Sequence, residues 1–285
     1  MGVAYEGQPA LPEFDSYQRQ SHYIEVYNRG QAPFEFTARA AEPWVVISPA
    51  SGTVRKEQRL TVSIDWSRAP NGTHTVPITL DGPGTASAAT GPRVIQAIVT
   101  NPASPERGAV TGFVEGNGYV SIEAEHFSRA VATPPIHWQV VPHLGRTLSA
   151  VTALPTAMAS QSPNGTSARL EYQVFMFDSG AVTVKAYLSP SLDYTGSAHG
   201  LRYAISFDDE SPQVVNSTAD SSSAAWERAV ANNIRVLSTT HRLARPGTHV
   251  LKFWLVDPGV VLQKLVIDTG GERPSYLGPP ESYRR

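Results

Sequence analysis

The 285-residue chain contains no cysteine, so neither a disulfide nor a thiolate-bound metal can hold its fold together. It has no excess of basic residues either, because 23 lysines and arginines stand against 25 aspartates and glutamates, for a net charge of −2. Without a basic field the chain has little attraction for a phosphate backbone, so nucleic acid is not an expected partner. No run approaches the roughly 18 apolar residues of a membrane-spanning helix, and we expect no membrane partner.

The composition is that of a globular protein, with 41% apolar and 17% charged residues. The length suffices for two domains with separate cores. Residues 1–20 lack the basic start and continuous apolar centre of a secretory signal. We therefore expect any such signal to lie upstream of this sequence.

Short apolar segments recur between turn signals from His22 to about Thr100. In the segment RLTVSIDW, the residues Leu60, Val62 and Ile64 share one strand face, as expected for a half-buried strand. This rhythm predicts an immunoglobulin-like β-sandwich with an N-terminal extension, over residues 1–103.

Residues 101–108 form a connection rich in proline and serine, and we expect a second all-β domain over residues 104–285. Six strand-like segments alternate there with long loops. The exception is Ser223–Arg235, where fourfold spacing of Trp226, Val230 and Ile234 predicts one short amphipathic helix. Asp257-Pro258-Gly259 joins two apolar runs, which predicts a closing hairpin followed by a Gly/Pro-rich tail.

Recognition residues are usually carried on the loops of a sandwich. The four largest predicted loops are Ala130 to Leu148, Thr152 to Ser167, Pro190 to His199 and Gln213 to Ala224.

Several separated motifs resemble the C-terminal region of glycoside hydrolase family 115, the xylan α-1,2-glucuronidases. The motifs are Gly118–Phe127, Trp138 with Val141–Thr147, Gly247–Trp254, the closing tail, and the N-terminal segments Gly2–Gly7 and Leu11–Asp15. The resemblance implies a bacterial protein, secreted or periplasmic, whose catalytic domains lie upstream of this sequence. It therefore implies that this chain alone is not an enzyme.

The second domain also resembles the galactose-binding-like jelly roll of carbohydrate-binding module families 6 and 35, through its Glu-Ala-Glu opening. In those modules the two glutamates, with an aspartate near the final strand, commonly hold a structural Ca²⁺. Glu123 and Glu125 fit this pattern, since alternate strand positions point the same way. Gln263 occupies the aspartate position and Lys264 follows it. A Glu123/Glu125 pair bonded to backbone amides or basic side chains is therefore the alternative.

Sugar recognition needs aromatic faces and directional polar groups, and the loops offer both. Xylan or glucuronoxylan is the expected partner, and Arg146 or Arg202 could pair with its uronate carboxylate. The other carbohydrate-binding candidates are Trp138 and His137 on a stiff loop after Pro134-Pro135, Tyr194, and Asn232 with Asn233 at the helix end.

A second hypothesis is a structural module that packs on the glucuronidase catalytic domain or on a second protomer and helps to complete the active site. Trp254 and the tail 276–280 would supply its apolar surface. A third, an independent hydrolase, lacks any nucleophile motif. The acidic triplet Asp208–Glu210 is interpreted as a solvated turn, because adjacent carboxylates do not face each other across a glycosidic bond.

Overall fold

The computed structural model describes residues 9–82 and 93–285. The chain divides into two compact units, Met1–Ala109 and Val110–Arg285, so the division falls six residues beyond the predicted end of the first domain at residue 103. The connecting segment stays with the first unit because the Tyr17 hydroxyl donates to Pro105 O and Arg107 Nε donates to Tyr17 O at 2.9 Å. The predicted family segment Gly2–Gly7 lies outside the described residues.

Strands of the first unit build two sheets, with the order β1-β8-β7-β3-β5 in one and β2-β6-β4 in the other. The strands are β1 Phe14–Asp15, β2 His22–Tyr27, β3 Phe34–Ala40, β4 Val45–Ser48, β5 Ser51–Val54, β6 Glu57–Ile64, β7 Gly72–Asp81 and β8 Arg93–Asn101.

The core of the first unit lies between these sheets. Leu60, Val62 and Ile64 of β6 are buried and the Thr61 side between them is exposed, as the period-two pattern predicted. Trp44 is also buried in this core. The first unit is therefore a β-sandwich of its own.

The second unit contains twelve strands among the described residues, a short 3₁₀ helix and one α-helix. They are β9 Phe113–Val114, β10 Tyr119–Glu123, the 3₁₀ helix Ala124–His126, β11 Arg129–Val131, β12 His137–Val141, β13 Ala150–Leu154, β14 Arg169–Met176, β15 Gly180–Leu188, β16 Arg202–Phe207, β17 Gln213–Asn216, α1 Ser223–Asn232, β18 Arg235–Leu243, β19 Gly247–Leu255 and β20 Val261–Asp268.

Two six-stranded sheets face each other in the second unit. One has the order β12-β13-β20-β15-β18 with β10 also on β20, and the other has β11-β14-β19-β16-β17 with β9 on β14. Inward side chains such as Leu170, Tyr172, Phe253 and Leu265 fill the space between them. The predicted all-β class, a sandwich followed by a jelly roll with one short helix, is confirmed.

The predicted closing hairpin is wrong. Strands β19 and β20 belong to opposite sheets, with β19 between β14 and β16, and β20 paired with β15, β13 and β10. Asp257-Pro258-Gly259 is instead the crossing between the two sheets. β20 is buried along most of its length and β19 ends in three consecutive buried residues, Phe253–Leu255, so their pattern carries no information about which sheet each one joins.

Three of the four predicted loops contain regular structure. Ala130 to Leu148 includes β12, Thr152 to Ser167 begins within β13, and Gln213 to Ala224 opens with β17. β12 and β17 are short edge strands of five and four residues, which are too short for a period-two pattern to distinguish them from loops. Within the described ranges, no helix is long and apolar enough to cross a bilayer.

The helix ends earlier than predicted and buries a different side. Asn233 adopts a left-handed conformation with φ of 51° and stops α1 at Asn232. Ala229 is the buried helical residue, whereas Val230 is 51% exposed. Ile234 is buried but follows the helix, so the fourfold stripe does not form one helical face.

Candidate functional site

An open cleft of about 390 Å³ lies where α1 meets the start of β18 and the segment that follows β17. Its polar lining includes Arg146, Asn216, Asp220, Arg228, Asn232 and Arg235. Its apolar wall comes from Ile234, Val236 and Leu237. The cleft thus combines three guanidinium groups and one carboxylate with an apolar face.

Local sequence explains why α1 stands at this cleft. Ser222 caps the helix, since its hydroxyl accepts from the Ala225 N–H at 3.2 Å. Asn233 then closes the other end and returns the chain into β18. Arg228 and Asn232 are four residues apart and so share one side of the helix.

Arg146 is fixed in the cleft by contacts on three sides. Its Nε donates to Asn232 O at 2.8 Å, a terminal nitrogen donates to Tyr276 O, and the guanidinium lies 4.0 Å from the centre of the Tyr276 ring. Its backbone N–H donates to Gln263 Oε1 at 3.0 Å. No hydrogen bond from the described residues engages its other terminal nitrogen.

Two further cleft charges are tied to the segment after β17. Arg235 donates to Ser217 O. Asp220 accepts from the Ser222 hydroxyl at 2.7 Å and from its N–H at 3.1 Å, and these bonds, with smaller effects of Arg228 and Arg235, lower the pKa of Asp220. Asp220 is therefore ionised at neutral pH and offsets part of the positive charge.

The structure brings together two of the predicted sugar-binding residues, Arg146 and Asn232, both of which line the cleft. Asn233 is the neighbouring helix cap, and its carbonyl accepts from Gln263 Nε2 at 3.0 Å. Sequence reasoning missed Arg228 and Arg235. The spacing of Arg228 and Asn232 on a helix was the signal that could have found the former.

Trp138 and His137 do not lie on a loop, so that prediction is wrong. Both belong to β12, where Trp138 Nε1 donates to Val131 O at 3.1 Å and the ring meets Phe253 edge-on. Trp138 packs against the core, and His137 is exposed at the sheet edge. Neither lines the cleft.

Arg202 and Tyr194 lie at the crossing between the sheets. Arg202 binds the buried Asp257 through two nitrogens, at 2.8 and 3.2 Å. Burial acts to raise the pKa of Asp257, but hydrogen bonds from Arg202 and Ser160 outweigh it and lower the pKa. Arg202 is thus committed to an internal carboxylate.

Tyr194 covers Gly259, whose positive φ of 90° turns the chain between β19 and β20. A Cβ at Gly259 would lie 2.5 Å from the Tyr194 ring. The phenol donates to Thr156 O at 3.0 Å, and partial burial, followed by the charges of Asp257 and Asp193, raises its pKa. Tyr194 is 55% exposed but lies apart from the residues that line the cleft.

Glu123 and Glu125 are not alternate residues of one strand. Glu123 ends β10 and Glu125 belongs to the 3₁₀ helix. Lys264 Nζ lies 3.0 Å from Glu123 Oε1, and the Thr147 hydroxyl donates to the same oxygen at 2.7 Å. Glu125 accepts from the Ser149 N–H at 3.3 Å.

A calcium ion does not fit this arrangement, because a buried ammonium group already neutralises Glu123. No group of three or more carboxylates and imidazoles suited to a metal occurs in the described part of the chain. The contacts are those of the alternative, a glutamate pair bonded to a backbone amide and a basic side chain. We propose that this region needs no calcium.

Gln263 and Lys264 also join neighbouring segments to the sheet. Gln263 is buried, and its amide donates to Ser189 Oγ and Asn233 O while its oxygen accepts from Arg146 N–H. Lys264 donates to Pro279 O at 3.0 Å. These two residues hold three segments against β20, namely the end of α1, the tail, and the loop of residues 142–149, called here the Arg146 loop.

The acidic triplet is a turn, but its outer members are not merely solvated. Asp208 lies 2.7 Å from His249 Nδ1, and Glu210 lies 2.7 Å from His241 Nδ1. His241 Nε2 is also 2.7 Å from Thr239 Oγ1. This hydroxyl–imidazole–carboxylate order is that of a catalytic triad, but Thr239 is buried and does not line the cleft beside α1.

Trp254, predicted as surface for a partner, is only 3% exposed. Its Nε1 donates to Ser206 Oγ at 2.9 Å, and the Arg169 guanidinium covers its ring at 4.9 Å. Trp254 therefore contributes to internal packing. Tyr276 and Leu277 of the tail remain exposed.

Two six-stranded sheets that pack face to face, with one short α-helix, define the second unit as a jelly-roll β-sandwich. The model of the glycosyl hydrolase family 115 C-terminal domain matches residues 112–281, more than half of the chain. The chain belongs to this family, and the resemblance expected from the motifs is confirmed.

Among solved structures, a family GH115 4-O-methyl-α-glucuronidase with specificity for decorated arabinogalactans is similar at 16% identity and a TM-score of 0.41. The match covers 59% of this chain and 19% of that one, so the chain spans about a fifth of the glucuronidase. No curated protein matches.

Two carbohydrate-binding modules are also similar. The C-terminal family 6 module of a marine laminarinase from Zobellia galactanivorans has 14% identity and a TM-score of 0.34, over 53% of this chain and 98% of that one. A family 35 module from Clostridium thermocellum has 14% identity and a TM-score of 0.34, over 52% and 96%.

Proposed function

We propose that the chain is the noncatalytic C-terminal accessory region of a family 115 glucuronidase and binds xylan or a related plant polysaccharide. The observation that carries the proposal is the cleft beside α1. It offers guanidinium and amide donors for sugar oxygens next to an apolar wall of Ile234, Val236 and Leu237. This is the mixture that a saccharide with polar edges and C–H faces requires.

Two consequences follow from this function. An accessory module that holds an enzyme on a polymer raises the local substrate concentration. Because polymeric xylan does not enter cells, the proposal places the protein in a secreted or periplasmic location. It also predicts that the chain releases no glucuronic acid from xylan by itself.

Affinity gel electrophoresis tests the proposal directly. The 285-residue chain is run in native gels containing glucuronoxylan, arabinoxylan, mannan or pectin, with serum albumin as the reference. We expect retarded migration in glucuronoxylan. Unchanged mobility in all four polysaccharides would end the proposal.

The second candidate function is a structural module that packs on the catalytic domain or on a second protomer. Exposed apolar side chains favour it, namely Tyr276 at 64%, Leu277 at 51% and Val230 at 51% exposure. Sedimentation velocity distinguishes the two functions. A dimer, or a stable complex with the separately expressed catalytic domain, combined with no polysaccharide retardation would select the structural role.

A further inference from the structure

The three arginines of the cleft differ in what they already bind. Arg146 and Arg235 each donate to backbone carbonyls. Arg228 lines the same cleft from α1, and among the described residues its guanidinium makes no hydrogen bond or ion pair. The Arg228 guanidinium therefore keeps its N–H donors for a ligand, and only its charge acts on Asp220.

The charge of the cleft favours an anion. Three guanidinium groups face one carboxylate, and that carboxylate, Asp220, is engaged with Ser222 at the start of the helix. A planar guanidinium pairs with a carboxylate through two parallel hydrogen bonds, whereas it gains less from a neutral hydroxyl. Ile234 and Val236, which also line the cleft, suit the C–H face of a sugar ring.

We infer that the cleft binds a uronate-bearing saccharide, with Arg228 as the residue that pairs with the sugar carboxylate. This inference rests on the proposed polysaccharide-binding function and narrows its ligand. Arg146 and Arg235 act as positioning residues that keep positive charge around the anion. Arg202 takes no part, because Asp257 occupies its guanidinium.

Isothermal titration calorimetry of the 285-residue chain with three probes tests the ligand class. The probes are a xylo-oligosaccharide bearing one glucuronic acid, the same oligosaccharide with its carboxyl reduced to an alcohol, and tri-galacturonic acid. We expect the uronate to bind about tenfold more tightly than its reduced form, as one charge-assisted pair allows. Added salt should reduce the difference in affinity between the uronate probe and its reduced form.

Each outcome has a distinct meaning. Equal affinity for the first two probes would overturn the uronate inference and leave polysaccharide binding intact. Binding of none of the three would overturn the inference together with the proposed function. Tight binding of tri-galacturonate would support the inference and indicate a uronate of a main chain rather than of a side branch.

Substitutions test whether Arg228 is the residue that pairs with the sugar carboxylate. Arg228→Gln should lower affinity for the glucuronic acid probe about tenfold, to that of the reduced probe, with the melting temperature unchanged. The matched control is Arg242→Gln, which removes an exposed arginine of β18 outside the cleft and should change neither affinity. Equal uronate affinity of the two variants would overturn the role of Arg228.

Asp220→Asn should change the affinity for the uronate in the direction opposite to that of Arg228→Gln. The amide oxygen can still accept from Ser222, so the helix cap is retained, while one negative charge leaves the cleft. We expect tighter binding of the uronate and unchanged binding of the reduced probe. Weaker uronate binding in this variant would contradict an anionic ligand.

Discussion

At the scale of single residues, the second unit buries several charged groups and pairs each of them. Glu123 meets Lys264, Asp257 meets Arg202, and Glu115 accepts from the Phe177 and Asp178 N–H groups. Removing one member of a buried pair leaves an uncompensated charge, which costs more than the pair contributes. Single substitutions at these positions should therefore lower the free energy of unfolding.

The Asp257–Arg202 pair predicts a pH-dependent stability. Because the folded pKa of Asp257 lies below its ordinary value of 3.8, its contribution is complete above pH 3.8 and is lost as the pH falls through the folded value. Asp257→Asn should lower the free energy of unfolding by about 2 kcal/mol at pH 7. Urea denaturation at pH 7 and near pH 3 measures the difference.

Asp209→Asn, which alters an exposed carboxylate, is the control and should have little effect at either pH. The difference between wild type and Asp257→Asn should shrink at the lower pH. A difference that persists undiminished in acid would show that the ionised pair is not its source.

Trp138 and His137, neighbours on β12, should behave differently. Trp138→Ala removes a ring that packs on the core, so we expect a loss of about 3 kcal/mol in unfolding free energy. His137→Ala should change stability by less than about 0.5 kcal/mol. If Trp138→Ala instead retains its stability and loses retardation in glucuronoxylan gels, the ring is a sugar platform.

At the scale of elements, alternating strands were predictable and their sheet assignments were not. Buried residues alternate with exposed or half-buried ones in β6 and with half-buried ones in β14, and this period is visible in the sequence. β20 is buried on both faces and β19 ends in three consecutive buried residues, so the crossing at residues 257–259 looked like a hairpin. Which strands pair is decided by long-range packing that no local pattern contains.

The cleft was predictable only in part for the same reason. Arg146 and Asn232 were candidates because their residue types suit a sugar. Arg228 and Arg235 looked like ordinary surface charges of a helix and a strand, and only the packing of α1 beside β18 makes them neighbours. Pro134-Pro135 suggested that Trp138 lies on a loop. In the structure, β12 begins two residues after Pro135 and includes Trp138.

Strand β20 leads to a prediction about calcium. We expect added Ca²⁺ at about 1 mM to leave the melting temperature of the wild type unchanged, since Lys264 already neutralises Glu123. Lys264→Met should lower the free energy of unfolding by about 3 kcal/mol, because Glu123 is left buried without its cation.

The double variant Glu123→Gln/Lys264→Met is the control and should recover most of this loss, as neither charge remains. Differential scanning calorimetry with calcium or a chelator measures all three proteins. A wild-type melting temperature that rises with calcium and falls with chelator would contradict the ammonium-neutralised site.

At the scale of the whole molecule, each compact unit has its own apolar core. A unit of this size with a separate core is expected to fold by itself. We predict that a fragment of residues 110–285 unfolds in a single cooperative transition in urea, followed by near-ultraviolet circular dichroism. A gradual loss of signal without a transition would show that the second unit depends on the first.

The central claim is that a saccharide binds in the cleft between α1 and β18. Hydrogen–deuterium exchange of the 285-residue chain, with and without the glucuronic acid oligosaccharide, locates the ligand directly. We predict slower exchange in residues 216–237 and in the Arg146 loop, and no change in residues 190–199 around Tyr194. Protection confined to residues 190–199, or no protection anywhere, would contradict the claim.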